Sequence, residues 1–133
     1  MTLEATCHCG ATRIVLPAHP TAAAECNCSY CARTGAIWAY YDPGELQFTA
    51  RDGERLYSTA PELHQHYFCG TCGMQTWGDS PNWSELYNND GTPKTDDPAA
   101  LPVTRRYGLN LRLVDGLDWS AISIERLDGR NNW

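Results

Sequence analysis

The sequence predicts a mainly β fold of short antiparallel strands, and three observations lead there. Apolar and polar residues alternate in several short windows, the pattern of a half-buried strand. Turn-forming residues interrupt those windows at short intervals. No segment carries an apolar stripe of helical period over three turns, so helix is expected only in short pieces.

In the first strand window Thr12, Ile14 and Leu16 alternate with Arg13 and Val15. Ile37 to Tyr41 follows, aromatic and β-branched, and such residues fit a pleated surface. Glu45 to Thr49, Arg55 to Ser58, His64 to Phe68, Tyr107 to Leu113 and Ala121 to Leu127 complete the set. Asp42-Pro43-Gly44, Asp52-Gly53 and Asp115-Gly116 supply turns between them. Short helices are expected around Cys28 to Arg33 and at Asp118 to Ala121. Residues 79–104 read differently, with Pro81, Pro93, Pro98, Pro102 and the cluster Asn88-Asn89-Asp90-Gly91. That composition predicts a long surface loop, either a tolerated insertion or a lid. At 133 residues without an internal repeat, one core is expected, with residues 1–133 forming a single domain.

Apolar residues make up 42% and charged residues 20%, ordinary for a globular chain. No apolar run is long enough to span a bilayer, and Met1 to Gly10 lacks a basic start followed by an apolar stretch. A cytoplasmic location is therefore expected. Thiols stay reduced there, so clustered cysteines point to metal ligation or catalysis before disulfides, and an odd total of seven cannot pair completely. The formal charge of -6 is dispersed, and a basic stripe for a phosphate backbone is missing, so no nucleic-acid partner is expected.

All seven cysteines fall in three clusters: Cys7-His8-Cys9-Gly10, Cys26-Asn27-Cys28-Ser29-Tyr30-Cys31 and Cys69-Gly70-Thr71-Cys72-Gly73. A CxxC pair followed by glycine is a zinc knuckle, in which a tight turn aims both sulfurs at one point and glycine takes the positive φ on the way out. In the CxC pair, residues two apart on an extended strand point the same way. A closed structural zinc site needs four ligands and a catalytic one keeps three protein ligands. Seven divides accordingly: Cys7, Cys9, Cys69 and Cys72 for one ion, and Cys26, Cys28 and Cys31 for a second whose fourth position is open. A rival assignment gives one zinc the triplet plus a single further cysteine. The four-and-three split favours zinc over iron–sulfur chemistry, although thiolate-rich sites accept either.

Charge gives the triplet site its character. Three thiolates and one Zn²⁺ sum to a negative charge, which makes a weaker Lewis acid than zinc held by neutral imidazoles. Attack by a metal-bound hydroxide is disfavoured, and a soft anionic ligand such as a substrate thiolate suits the site better. A small thiol, or a molecule carried on one, is the expected substrate.

With CHCGA, CNCSYC followed by Gly35, and FCGTCG in order, the chain resembles the family of glutathione-dependent formaldehyde-activating enzymes, which includes centromere protein V. Leu109-Asn110-Leu111-Arg112-Leu113, Asp115-Gly116-Leu117-Asp118 and the closing Asp128-Gly129-Arg130-Asn131-Asn132-Trp133 resemble its C-terminal part. The resemblance implies an Mss4-like fold of packed antiparallel sheets. It also implies a structural zinc on Cys7, Cys9, Cys69 and Cys72 and a catalytic zinc on Cys26, Cys28 and Cys31. The activity implied is that of a carbon–sulfur lyase, S-(hydroxymethyl)glutathione synthase, joining formaldehyde to glutathione. One departure is visible: the family often has a basic residue directly after the last cysteine of the triplet, and here Ala32 stands there with Arg33 next. A noncatalytic zinc-stabilised protein-binding module is the competing reading, and it predicts that a further side chain closes the triplet. A chromatin or microtubule role would need basic extensions that this acidic chain lacks.

His64 and His66, two apart, share a strand face and are candidate proton donors, against a role as surface histidines. His8 lies between two ligands and points away from their metal, and His19, between prolines, reads as loop. Trp38, Tyr40 and Tyr41 either wall a pocket or fill the core. Arg33, Arg105, Arg106 and Arg112 are candidates for meeting a substrate carboxylate, with solvated or ion-paired arginine the default. Trp77 and Trp83 flank the start of the long loop.

Overall fold

A computed structural model describes residues 2–133. Among the described residues ten strands make two sheets, accompanied by two short helices. A three-stranded sheet, in the order β1-β2-β5, is formed by β1 (Glu4–Thr6), β2 (Thr12–Val15) and β5 (Gln47–Arg51). The seven-stranded sheet runs β10-β3-β4-β9-β8-β7-β6. Its members are β10 (Ser123–Leu127), β3 (Ala22–Cys26), β4 (Trp38–Tyr41), β9 (Arg105–Asn110), β8 (Gln75–Pro81), β7 (Gln65–Cys69) and β6 (Glu54–Tyr57). Helix α1 (Ser29–Thr34) follows β3, and α2 (Gly129–Asn132) follows β10.

The two sheets pack face to face. Ala5 and Ile14 of the small sheet meet Ala23, Ala39, Trp77 and Leu109 of the large one, all nearly sealed from solvent. At the centre, Trp77 stacks on Tyr67 with ring centroids 4.4 Å apart, meets Tyr107 edge-on at 4.9 Å and takes Phe48 of the small sheet at 4.6 Å. Such aromatic pairs contribute roughly 0.5–1.5 kcal/mol each beyond their burial. The indole N–H is satisfied by Glu54 Oε1 at 2.7 Å.

The mainly β architecture agrees with the sequence reading. One pairing departs from it, because β10 runs parallel to β3, with Ser123 opposite Ala22 and Leu127 opposite Cys26. The expected strand to Leu113 stops at Asn110, whose side chain caps a 3-10 turn at Leu111–Leu113 by accepting from Arg112 N at 3.1 Å. Asp118 caps the 3-10 turn Trp119–Ala121 in the same manner, where a short helix was expected. Strand β8 extends to Pro81, so the long connection begins at residue 82, and it carries a 3-10 turn at Trp83–Glu85. Among the described residues no helix is long and apolar enough to cross a membrane.

Candidate functional site

The four-cysteine group assembles from both sheets. Cys7 and Cys9 leave β1, and Cys69 and Cys72 leave β7. Gly10 and Gly73, which end the two motifs, adopt φ of 82° and 79°, the left-handed conformation that lets each chain turn away from its sulfurs. Cys7 Sγ lies 3.7 Å from Cys9 Sγ, and Cys9 Sγ lies 3.6 Å from Cys69 Sγ. A tetrahedron with metal–sulfur bonds of about 2.3 Å has edges of about 3.8 Å, so this spacing suits zinc. Backbone amides aim at the sulfurs, Thr12 N at Cys7 (3.2 Å) and Cys72 N at Cys69 (3.5 Å), as thiolates require. All four sulfurs lie within 4.8 Å of one another, and the group can hold a metal ion.

Cys26, Cys28 and Cys31 form a second group that meets the same 4.8 Å criterion, and among the described residues it has three members. Cys26 ends β3, Cys28 is the N-cap of α1, and Cys31 lies one turn in, so the strand-to-helix turn folds the three sulfurs together. Cys28 N and Cys31 N each point at the sulfur of the preceding cysteine, at 3.4 Å. Burial raises the pKa of Cys26 and Cys31, and the neighbouring Cys28 thiolate adds to both effects. A bound cation would relieve this crowding of like charge.

The triplet opens on a cavity of about 780 Å³. Its floor is one face of the large sheet. The register across four strands sets His66 opposite Gly78, Gly78 opposite Gly108 and Gly108 opposite Tyr40. Both central glycines lack the positive φ that would otherwise explain them. An added Cβ at Gly108 would sit 3.3 Å from Trp38 Cε3, and one at Gly78 would sit 3.2 Å from the Gln65 carbonyl oxygen. Strand alternation settles the aromatic residues of β4: Trp38 and Tyr40 face the cavity, while Tyr41 packs on the core.

A run of aromatic rings, all but Tyr57 lining the cavity, makes one wall. Tyr57, Tyr30, His66, His64, Trp83 and Tyr87 follow one another with centroid separations of 6.2, 4.1, 6.4, 6.2 and 6.2 Å. Tyr30, between two cysteines of the triplet, lies nearly flat on His66, tying the histidine face to α1. The two histidines therefore share a face as expected, and both line the cavity. Burial lowers the pKa of each below the ordinary 6.5, helped at His64 by the Arg105 charge and at His66 by His64. Both are neutral at pH 7.

Of the four candidate arginines, the structure brings one to the cavity. Arg106 stacks its guanidinium 3.8 Å above the Tyr40 ring, and its Nε is buried without a protein partner. Arg105 points to the other face, held by Asp79 (2.8 Å), the Leu63 carbonyl (2.9 Å) and Gln65 (2.9 Å). Arg112 donates to the Gly35 carbonyl beyond α1, and Arg33 to the Ser29 carbonyl within it. His8 is absent from the cavity lining. His19 is a structural clip, accepting from Asp118 N at 3.0 Å. Trp77 is core, whereas Trp83, with Ser84, Tyr87, Asn88 and Asn89, makes the connection after β8 a cavity wall.

Sequence reasoning missed the glycine floor and Tyr30, whereas the connection, expected as an insertion or a lid, lines the cavity. A lone glycine inside a strand pattern was the available signal for the floor, since it often marks the close approach of a ligand.

Similarities to known proteins align with this geometry. The family model for "Glutathione-dependent formaldehyde-activating enzyme" matches residues 2–98. A Halomonas elongata protein named "Putative glutathione-dependent formaldehyde-activating enzyme" is 29% identical over 140 aligned residues, covering 96% of this chain and 85% of that protein. The crystal structure of a Rhodobacter sphaeroides protein, 26% identical, matches with a TM-score of 0.62 over 92% of this chain and 99% of that one. The chain thus belongs to the family of glutathione-dependent formaldehyde-activating enzymes.

Proposed function

We propose that this chain is a zinc-dependent enzyme of the carbon–sulfur lyase type that joins a small glutathione-like thiol to a formaldehyde-like aldehyde. One observation carries the reading: among the described residues, all three triplet cysteines line the large cavity and none of the other four does. Cys7, Cys9, Cys69 and Cys72 would hold a structural zinc, and Cys26, Cys28 and Cys31 a catalytic one. Zinc at the triplet, when bound, supplies positive charge that favours the thiolate form of an incoming thiol.

The chain's own residues account for the rest. The thiol S–H gives its proton to a ring nitrogen of His66, neutral at pH 7 and fixed against Tyr30. The freed sulfur pair attacks the carbonyl carbon, the carbonyl π bond breaks toward oxygen, and that oxygen recovers the proton. Arg106 is the one Lys or Arg side chain among the described lining residues, and its guanidinium suits a carboxylate of the thiol. Trp83 and Tyr87 limit water at the mouth. A reducing compartment, the cytoplasm, suits seven free thiols.

Native mass spectrometry tests the metal scheme. Wild type is expected to carry two zinc ions, Cys28→Ser one ion with the fold intact, and Cys72→Ser to lose its fold. Loss of all metal by both variants overturns the two-site assignment. NMR exchange spectroscopy of glutathione with a panel of aldehydes tests the activity against the spontaneous reaction. No acceleration for any aldehyde would leave the noncatalytic binding module as the better account.

A further inference from the structure

The residue between the first two triplet cysteines is tied to the far end of the described chain. Asn27 Nδ2 donates to Asp128 Oδ1 at 2.9 Å, and its Oδ1 accepts from Arg130 N at 2.9 Å. Its backbone is engaged as well: Asn27 N donates to the Leu127 carbonyl at 3.2 Å, and Arg130 Nε donates to the Asn27 carbonyl at 3.1 Å. These bonds span about a hundred residues of sequence and bring α2 directly over the triplet. Asn131 Nδ2 holds the other oxygen of Asp128 at 2.8 Å, so the carboxylate cannot turn away.

Gly129 shows how close that approach is. An added Cβ there would lie 2.7 Å from Cys26 Sγ and 2.8 Å from Trp133 Nε1, distances that real Cβ atoms do not reach. The residue is buried and its φ is ordinary, so what it provides is room for the sulfur. Cys26 Sγ is therefore roofed by the backbone of α2. Beyond it, Asn132 and Trp133 line the cavity beside Cys26, Cys28 and Cys31. The connection after β8 abuts the same segment, since a Cβ on Gly91 would meet Asn132 Cβ at 3.0 Å.

We infer that Asn27 is a positioning residue: it clasps the segment from Asp128 to Trp133 over Cys26, which fixes that sulfur within the triplet and seats Trp133 as a cavity wall. The clasp is not part of the ligand set, and it acts on metal retention through Cys26 and on thiol binding through Trp133. It rests on the reading of the triplet as a metal site and, for thiol binding, on the proposed reaction.

The test follows zinc release from the purified, zinc-loaded chain to a chromogenic chelator, with Cys28→Ser identifying the triplet phase. Asn27→Ala is expected to speed that phase about tenfold, the scale of losing its two side-chain hydrogen bonds, Gly129→Ala to speed it through the clash with Cys26 Sγ, and both to leave the four-cysteine phase unchanged. Asp128→Ala should behave likewise. Asp128→Asn retains an oxygen acceptor for Asn27 and should restore slow release, a rescue that a general loss of stability would not show. In the activity assay, Asn27→Ala should raise KM for the thiol more than it lowers kcat. Unchanged triplet release in folded Asn27→Ala and Gly129→Ala, or equal acceleration of both phases, overturns the clasp and leaves the proposed reaction standing. Accelerated triplet release in the variants, with a wild-type chain that lacks thiol–aldehyde activity, supports the clasp and sinks the reaction. A wild-type chain that binds one ion sinks both.

Discussion

Gly108→Ala separates the demands of folding from those of the cavity. Gly108 sits mid-strand in β9 without positive φ, so alanine is conformationally allowed. Alanine at a compatible glycine position stabilises by about 0.4–1 kcal/mol, mainly by restricting the unfolded chain. The new methyl carbon would lie 3.3 Å from Trp38 Cε3 and 3.5 Å from Tyr40 Cε1. Both neighbours are ring atoms able to shift by a few tenths of an ångström, which offsets part of that gain. Net stability in urea unfolding should stay within about 1 kcal/mol of wild type. Binding should not escape so lightly, because the methyl rises from the cavity floor between His66 and Tyr40. Overfilling a packed site costs about 1–3 kcal/mol, and at 1.4 kcal/mol the loss is about tenfold, read as a rise in KM for the thiol. Gly78→Ala is the contrasting case. Its Cβ would meet the Gln65 carbonyl oxygen at 3.2 Å, and a backbone atom held in the sheet cannot yield as a ring does. That variant should lose both stability and binding. A folded Gly108→Ala protein with unchanged KM would show that the glycine row is not the substrate floor.

Arg105 and Arg106 predict opposite phenotypes from adjacent positions. Arg106→Gln should raise thiol KM about tenfold or more, the scale of one lost charge-assisted bond, with an unchanged melting midpoint. Arg105→Ala breaks the bonds to Asp79, Leu63 and Gln65, so it should destabilise by about 1 kcal/mol in urea and spare KM. Acid sensitivity follows from the lowered pKa values of His64 and His66, since the unfolded chain binds protons there before the folded one does. Stability should therefore fall as pH drops from about 6.5 through the folded-state values, and it should level off once the folded form is protonated too. A His64→Gln, His66→Phe double variant should show a flatter profile over that window; an identical slope would remove these two groups as its source.

The strand windows were legible because their residues alternate across a sheet with one buried face, as Ile14 and Leu16 do. The cysteine partition was legible because ligand spacing is local chemistry. Strand β3, Ala22–Cys26, escaped notice because its five residues include three alanines and no β-branched side chain. Its place in the sheet comes from its partners, β4 on one side and, from far away in sequence, β10 on the other. Strand β8 was concealed by a bulge beside Tyr67 and Phe68, which breaks simple alternation. The cavity was invisible for a related reason. Its floor aligns residues from β7, β8, β9 and β4, and only strand register brings His66, Gly78, Gly108 and Tyr40 into one row.

That row also bears on why the two cysteine groups differ. The four-cysteine group lies where β1 of the small sheet approaches the end of β7, so a metal there crosslinks the two layers whose apolar faces form the core. The triplet lies at the end of β3, where the opposite face of the large sheet has no second layer and instead carries the cavity. A stabilising crosslink has little to join at that place. Glycine within a strand costs about 0.5–1 kcal/mol relative to alanine, and here two adjoin in the same row. A module needing shape alone would recover part of that stability with a methyl group at Gly108, whose neighbours are ring atoms. In the proposed reaction a substrate has to reach the three sulfurs and needs that room, which gives Gly108 and the three-cysteine group one physical explanation.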